Sequence, residues 1–393
     1  MTPFRPLSLS ILSLALGAAL CAPAQAQSLL ALVESARTHD TAWQSARAQL
    51  DAAARKADQA RAGLLPSAAL TGGLTRSNVE LSKPKIENTG TAQTVGINAS
   101  QPLYRPANRI TLEQGQRGVD VAQAQLDAAT QDLLVRVSQA YFDVLAAQDT
   151  LTFVQAQKAA VSEQLAAAKR NFEVGTTTVT DSREAQARYD LVIAQEIAAE
   201  NDLRVKSLAL DQLVGITGTK PLPLALPVQL PSVVPDNLTT WVDTARDQQP
   251  GVRQAAIALD IARLETKKAE TGHLPTVDLQ AGYNVTRNLH GTITSPGVTA
   301  RSNAASVGVA LNLPLFAGFA VQNRVKETLA LETKAEADLE TARRNVAQAT
   351  RAAFYGVQSG QGQVQALEAA EASSQSALDA NKLGYQVGVR INI

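Results

Sequence analysis

The turn NFEVGTTTVTD (residues 171–181) joins two long helical patterns that together cover residues 107–213. Before the turn, apolar or small residues recur every seven positions, and a second apolar row lies four positions after most of them. Alternating steps of four and three predict a left-handed coiled-coil seam. The first row is Val119, Leu126, Leu133, Ala140, Ala147, Val154, Val161 and Ala168. At about 1.5 Å per residue, the pattern before the turn predicts a rod of about 100 Å.

Composition limits the classes of function that the chain can have. Its 393 residues are 45% hydrophobic but only 4% aromatic, so alanine and leucine must do most of the packing. The formal charge of zero gives no attraction for nucleic acid. His39, His273 and His290 lie in unrelated elements, and the sequence has no metal-ligand spacing, phosphate-binding glycine loop or nucleophile motif. We therefore expect no enzyme activity, no cofactor and no bound metal.

The N-terminus has the features of a secretory signal peptide at residues 1–26. A single arginine precedes an apolar run, and the small residues of Ala24-Gln25-Ala26 suit a cleavage site, so the mature chain is predicted to start near Gln27. Cys21 is the only cysteine, and the bulky Leu20 before it argues against a lipoprotein anchor. Beyond the leader no run of 18 apolar residues occurs, so no helical membrane span is predicted.

The order of elements repeats after about 210 residues. Each copy is predicted to contain a helix, two short strands and a long rod, in 27–214 and in 237–393. The opening helices are predicted at 28–62 and 237–271, and the strands at 68–77, 94–101, 276–286 and 306–313. Residues 215–236 hold five prolines and are predicted to form an extended linker. The second copy is incomplete, since it lacks the returning helix of the first.

The strand at 276–286 alternates most clearly between apolar and polar residues. One face carries Val277, Leu279, Ala281, Tyr283 and Val285, and the other carries Asp278, Gln280, Gly282, Asn284 and Thr286. This alternation favours a membrane β-barrel in which Asp278, Gln280 and Asn284 face the lumen. Four strands cannot close a barrel, so we predict an α+β membrane protein whose protomers share one barrel that the rods continue as a tube. Tyr104, Phe316 and Phe319 are either an interfacial aromatic girdle or local packing at strand-to-helix joints.

With the turn at 171–181 and its continuation SREAQARYDLVIAQEIAAENDL, the chain resembles the TolC family of outer-membrane efflux and secretion channels. The resemblance covers nearly all of the mature chain. It implies a homotrimer in the outer-membrane lipid, with four strands per protomer in one barrel and a coiled-coil helical barrel in the periplasm. It also implies that the helix tips meet a periplasmic adaptor protein and an inner-membrane transporter.

The same resemblance assigns roles at the two helix tips. Val174 and Gly175 lie at the first hairpin tip, and Val387 and Gly388 lie at the second. The resemblance places Thr180 and Asp181 near Tyr385 and Arg390, as a gate that holds the periplasmic entrance closed. An alternative is that Asp181, with Glu184, only caps the returning helix and that Arg390 is solvated.

Two other classes of protein fit the sequence less well than a channel does. A periplasmic adaptor would carry one hairpin flanked by lipoyl-like halves, and the repeated strand pairs argue against it. A coiled-coil scaffold would not need strands with one polar face. Because the TolC family has a further helix after Gly388, we expect a chain that ends at Ile393 to leave helix seams exposed rather than form a sealed tube.

Overall fold

The structure is a computed structural model that describes residues 27–83, 85–225, 228, 230–292 and 295–387. The predicted signal peptide, Gly388 and Arg390 lie outside the described residues. The helices are α1 (Leu29–His39), α2 (Thr41–Ala62), α3 (Pro106–Glu173), α4 (Val179–Val214), α5 (Leu238–Gln248), α6 (Pro250–Glu270) and α7 (Ala320–Gln386). The strands are β1 (Ser67–Ser82), β2 (Lys85–Tyr104), β3 (Thr276–Leu289), β4 (Gly291–Thr292), β5 (Ser295–Pro296) and β6 (Ala300–Asn312).

The long rods have the predicted length. Helix α3 contains 68 residues and α7 contains 67, so each spans about 100 Å. The predicted seam of α3 is largely confirmed, because Leu133, Ala147 and Val154 of the first row are buried. Phe172, which belongs to the second row, remains exposed. Within the described residues, no helix combines the length and the apolarity that crossing a bilayer requires.

The chain divides into two compact units, of which the first draws on the first sequence repeat and the linker and the second draws on both repeats. The first contains residues up to Ala46 together with Ala129–Gln229, and the second contains Arg47–Ala128 together with residues from Leu230 onward. In the first unit, α1 packs against α3 and α4 around Leu32, Val137 and Leu210, all of which are almost completely buried. In the second, Val252 and Leu259 of α6 pack against Leu339 of α7. The division at 214 and 237 that the repeat suggests stays a prediction.

The prediction of one opening helix in each repeat was wrong, because both copies contain a break. In the first, Asp40 is extended and its carboxylate accepts a hydrogen bond from the Trp43 backbone N–H at 2.7 Å. In the second, the Gln249 side chain accepts from the Val252 backbone N–H, and Pro250 begins the new helix. Side chains that bond nearby backbone groups favour helix starts over helix interiors, which explains both breaks.

The four long strands form one antiparallel sheet in the order β1-β2-β3-β6, with β1 and β6 as open edges. The strands of the first pair are longer than predicted, because the ladder continues between the predicted strands until Ser82 pairs with Lys85. Polar residues can continue a ladder because its hydrogen bonds are made by the backbone. Strand β6 likewise begins at Ala300, earlier than predicted.

The proline-rich segment is tied to the first unit by backbone hydrogen bonds. Gln27 donates to the Lys220 carbonyl at 2.8 Å and accepts from the Leu222 N–H at 3.1 Å. The Tyr141 hydroxyl donates to the Leu222 carbonyl at 2.6 Å. The beginning of the linker is therefore held against α3.

Candidate functional site: the two sheet faces and the hairpin tip

One face of the sheet is apolar and exposed in the single chain. The register places Leu70, Ile97 and Tyr283 in one row across β1, β2 and β3, and each is about half exposed or more. On β6, Val307 is 78% exposed. Further exposed members of this face are Leu74, Val95, Leu279, Val309 and Leu311. A contiguous apolar surface of this kind marks an interaction with lipid or with protein.

An aromatic residue lies on this face where the sheet meets the helices. Tyr104 pairs with Val277 next to an irregularity in the β2–β3 ladder and is 46% exposed. Phe316 and Phe319 follow β6 and contact each other edge to face, with ring centroids 5.5 Å apart. Both remain mostly exposed, so this local contact leaves their rings available to a membrane interface. The girdle stays a prediction.

The opposite face is polar and carries a layer of side-chain hydrogen bonds. Asn98 donates to the Thr71 hydroxyl at 3.1 Å, and the hydroxyls of Thr94 and Thr286 lie 3.4 Å apart. The Asn284 side chain lies over Gly96, where a Cβ atom would come within 1.8 Å of its Oδ1. Glycine at position 96 therefore leaves room for the asparagine from the neighbouring strand.

Asp278, predicted to face the lumen, is buried and paired with a cation. Arg105 Nε donates to Asp278 Oδ1 at 2.8 Å, and Nη2 donates to Oδ2 at 2.6 Å. The two residues meet because β2 ends just before Arg105 and β3 begins at Thr276. Sequence reasoning missed this pair, because alternation within each strand gives no signal for the pairing of β2 with β3.

Gln280 and Asn284, the other predicted lumen residues, lie on the same polar face as Asp278. Gln280 is exposed and Asn284 is half-buried. Apart from Asp278, the polar-face positions of the described strands are uncharged. This face can therefore contact a hydrated solute without attracting one sign of charge.

The first hairpin tip is a short turn with apolar side chains on its surface. Gly175 adopts a φ of 77°, and the Thr176 N–H donates to the Asn171 carbonyl at 2.9 Å. Val174 and Val179 flank the turn and are 73% and 54% exposed. Val387 at the end of α7 is exposed as well. The predicted tip residues that the structure describes, Val174, Gly175 and Val387, are therefore accessible to solvent.

The gate residues are only partly described. Thr180 and Asp181 lie exposed in the first turn of α4, and Tyr385 lies in the last turn of α7. Asp181 forms a capping box with Thr178, in which its Oδ2 accepts from the Thr178 backbone N–H at 2.9 Å and from the hydroxyl at 2.9 Å. These bonds, that of the backbone N–H first, lower the pKa of the Asp181 carboxyl. The cap is therefore Thr178 with Asp181, not Asp181 with Glu184, and the gate stays a prediction.

Comparison with known proteins places this geometry in a family. The profile of the outer membrane efflux protein family matches residues 32–216 and 241–392. The chain belongs to the outer membrane efflux protein family. As a member of this family it is a protein of the Gram-negative outer membrane that extends into the periplasm.

Individual outer membrane efflux proteins and their relatives agree with this assignment. The chain is 34% identical over 365 residues to the outer membrane protein TolC of Vibrio cholerae, covering 93% of this chain and 82% of that protein. It is 29% identical to the proteases secretion protein PrtF of Dickeya chrysanthemi, covering 94% and 81% of the two chains. These relatives are named as outer-membrane and secretion proteins, not as enzymes. The crystal structure of the outer membrane protein VceC from Vibrio cholerae has the same fold, with a TM-score of 0.76 at 20% identity over 92% of this chain and 86% of that one.

Proposed function

We propose that the chain is one protomer of an outer-membrane channel that the long helices continue into the periplasm, for efflux or type I protein secretion. The observation that carries the proposal is a sheet with one exposed apolar face, one neutral polar face and two open edges. Lipid covers the apolar face, and water with the transported solute fills the space beside the polar face.

The open edges call for further copies of the chain. Membrane barrels of this type have about eight strands or more, whereas the described part of one chain supplies four long strands. Pairing β6 of one copy with β1 of the next removes both edges, and three copies complete a twelve-stranded barrel. The trimer rests on the family likeness, because the strand count alone also permits other numbers of copies.

The choice of substrate is made outside the barrel. The polar face carries hydroxyl and amide groups with no exposed charge on the strand positions described above. Selective pores use rings of charges or ordered carbonyls. A neutral surface of this kind passes different solutes, so an inner-membrane transporter must select them.

The hairpin tips are the proposed contacts with the periplasmic adaptor and its transporter. Val174 and Val179 expose apolar surface on both sides of the turn at Gly175. Helical partners bind such small apolar ridges by packing between them. In the same region, Asp181 and Thr180 are proposed to meet Tyr385 and Arg390 and to keep the entrance closed until a partner binds.

The experiment that tests the proposal is conductance across a planar bilayer. The purified protein is added to a bilayer and compared with a variant in which Leu279 and Val309 of the apolar face are both replaced by glutamate. We expect discrete conductance steps from the native protein and none from the variant. Native protein that binds the bilayer but never conducts would refute the channel.

A further inference from the structure

Two arginines lie directly opposite each other on the apolar face of the sheet. The β3–β6 register pairs Arg287 with Arg301, and both side chains are exposed. They share the face of Tyr283 and Val285, not the polar face. Like charges opposite each other in an antiparallel pair destabilise it, so an anion bound between them would stabilise this part of the sheet.

The pair lies at one limit of the apolar band. Val277 marks the other limit, beside Tyr104 at the helix end, and Arg287 follows ten residues later on the same strand face. At about 3.4 Å per residue this interval is about 34 Å. With a strand tilt of about 40° it spans about 26 Å along the membrane normal, close to the roughly 25 Å band of membrane barrels.

Carboxylates that could neutralise the pair are distant on the described strands. Asp278 is the only acidic residue between positions 276 and 313, and it binds Arg105 at the other end of the sheet. Gln93 shares the row of the two arginines. Glu87, on the same face of β2, lies six residues beyond Gln93, or about 20 Å away.

We propose that Arg287 and Arg301 bind the phosphate group of an anionic lipid in the outer leaflet. This inference rests on the proposed function, which fixes the orientation of the sheet in the membrane. Because the helices at one end of the sheet extend into the periplasm, the arginines at the other end lie at the outer surface. Guanidinium groups bind phosphate oxygens through paired hydrogen bonds. Their aliphatic stems lie along the apolar face while the charged groups reach the headgroups.

The test measures lipid retention by native mass spectrometry of the full-length protein in a neutral detergent. The probes are phosphatidic acid and phosphatidylcholine with identical acyl chains, and inorganic phosphate alone. We expect the native protein to prefer phosphatidic acid. In the Arg287→Gln/Arg301→Gln protein we expect phosphatidic acid to bind roughly 25-fold more weakly, from about fivefold for each basic residue near an anionic surface.

Two further variants make the result specific. Lys326→Gln removes an exposed positive charge from α7, and it should leave the lipid preference unchanged. Arg301→Lys keeps the charge without the planar fork and should lose less than Arg301→Gln. A loss in Lys326→Gln as large as in the double variant would show an effect of net charge and overturn the site.

The experiments can refute the proposed lipid site and the proposed channel function separately. If native and double-variant proteins conduct alike and retain phosphatidic acid equally, the lipid site is refuted and the channel stands. If the native protein conducts and inorganic phosphate binds as tightly as phosphatidic acid with the same dependence on the arginines, the role of lipid is refuted. If the native protein does not conduct, the proposed function itself fails.

Discussion

A lysine introduced by substitution can test which face of β6 meets lipid and which meets the lumen. Val307 lies on the apolar face opposite Ala281, whereas the adjacent Ser306 lies on the polar face opposite Gly282. Both positions are exposed in the isolated chain, so a lysine fits at either without displacing neighbours. Val307→Lys and Ser306→Lys therefore add the same charge to the same strand and differ in whether it meets lipid or the lumen.

The expected cost follows from depth in the bilayer. The row of Val307 and Ala281 lies four residues from Val277 and six from Arg287, or about 10 Å and 16 Å along the membrane normal at the strand spacing and tilt used above. A lysine on the lipid face near mid-bilayer costs about 2–4 kcal/mol, and at this depth we expect about 2 kcal/mol per protomer. Ser306→Lys should cost little, because its ammonium group stays in water.

The assay is unfolding of the protein in lipid vesicles by urea. Val307→Leu keeps the position apolar and serves as the control. Equal destabilisation by Val307→Lys and Ser306→Lys would refute the assignment of the two faces.

Three other predictions concern the helices. Arg136→Met leaves Asp40 buried without its cation, since Arg136 Nη1 donates to Asp40 Oδ2 at 2.9 Å, and we expect a loss of about 1–3 kcal/mol in the free energy of unfolding. The Arg136 hydrogen bond lowers the pKa of the Asp40 carboxyl, so the destabilisation by Arg136→Met should have its full size above about pH 5 and shrink as pH falls below about 4. A destabilisation independent of pH would contradict the assignment. Asp181→Asn should keep much of the helix cap and raise conductance, whereas Thr178→Val should weaken the cap and leave the charge of Asp181 in place. Equal conductance of the two variants and the native channel would exclude a gate at Asp181. Tyr141→Phe should cost about 1 kcal/mol by removing the bond to the linker carbonyl and should speed proteolysis of the linker, and a linker cleaved at the native rate would show that this bond does not hold it.

The fold was largely predictable because its patterns are long. A seven-residue apolar repeat continued over eight positions leaves one geometry for α3, and the strict alternation of 276–286 leaves one for β3. The breaks at Asp40 and Gln249 were missed because a single side chain that bonds the backbone decides each of them. Weak local signals of this kind are outweighed by a periodic pattern when only the sequence is read.

The candidate site was less predictable than the fold. Alternation predicts which residues share a face, and Gln280 and Asn284 do share one. It contains no information on pairing between distant strands, so it missed the bond between Arg105 and Asp278. For the same reason, Arg301 lay outside the predicted strands, and its position opposite Arg287 is known only from the register.

The register between β2 and β3 is not fixed by a connecting turn, unlike the register of the other strand pairs. Strands β1 and β2 are joined by a short turn and β3 is followed by β6 within one repeat, whereas β2 and β3 come from different repeats and have no turn to fix their register. A slip of one residue would exchange the lipid and lumen faces of a strand.

Side chains supply the register that a turn cannot. The Arg105–Asp278 pair fixes the helix end of the β2–β3 seam, and Asn284 over Gly96 fixes its middle. After a one-residue slip, Asn284 would lie opposite Val95 or Ile97, and its amide would face lipid without a partner, an arrangement that costs several kcal/mol. The buried charge of Asp278 is therefore best understood as a register constraint on the seam between the two repeats, and the lumen is left with neutral polar groups.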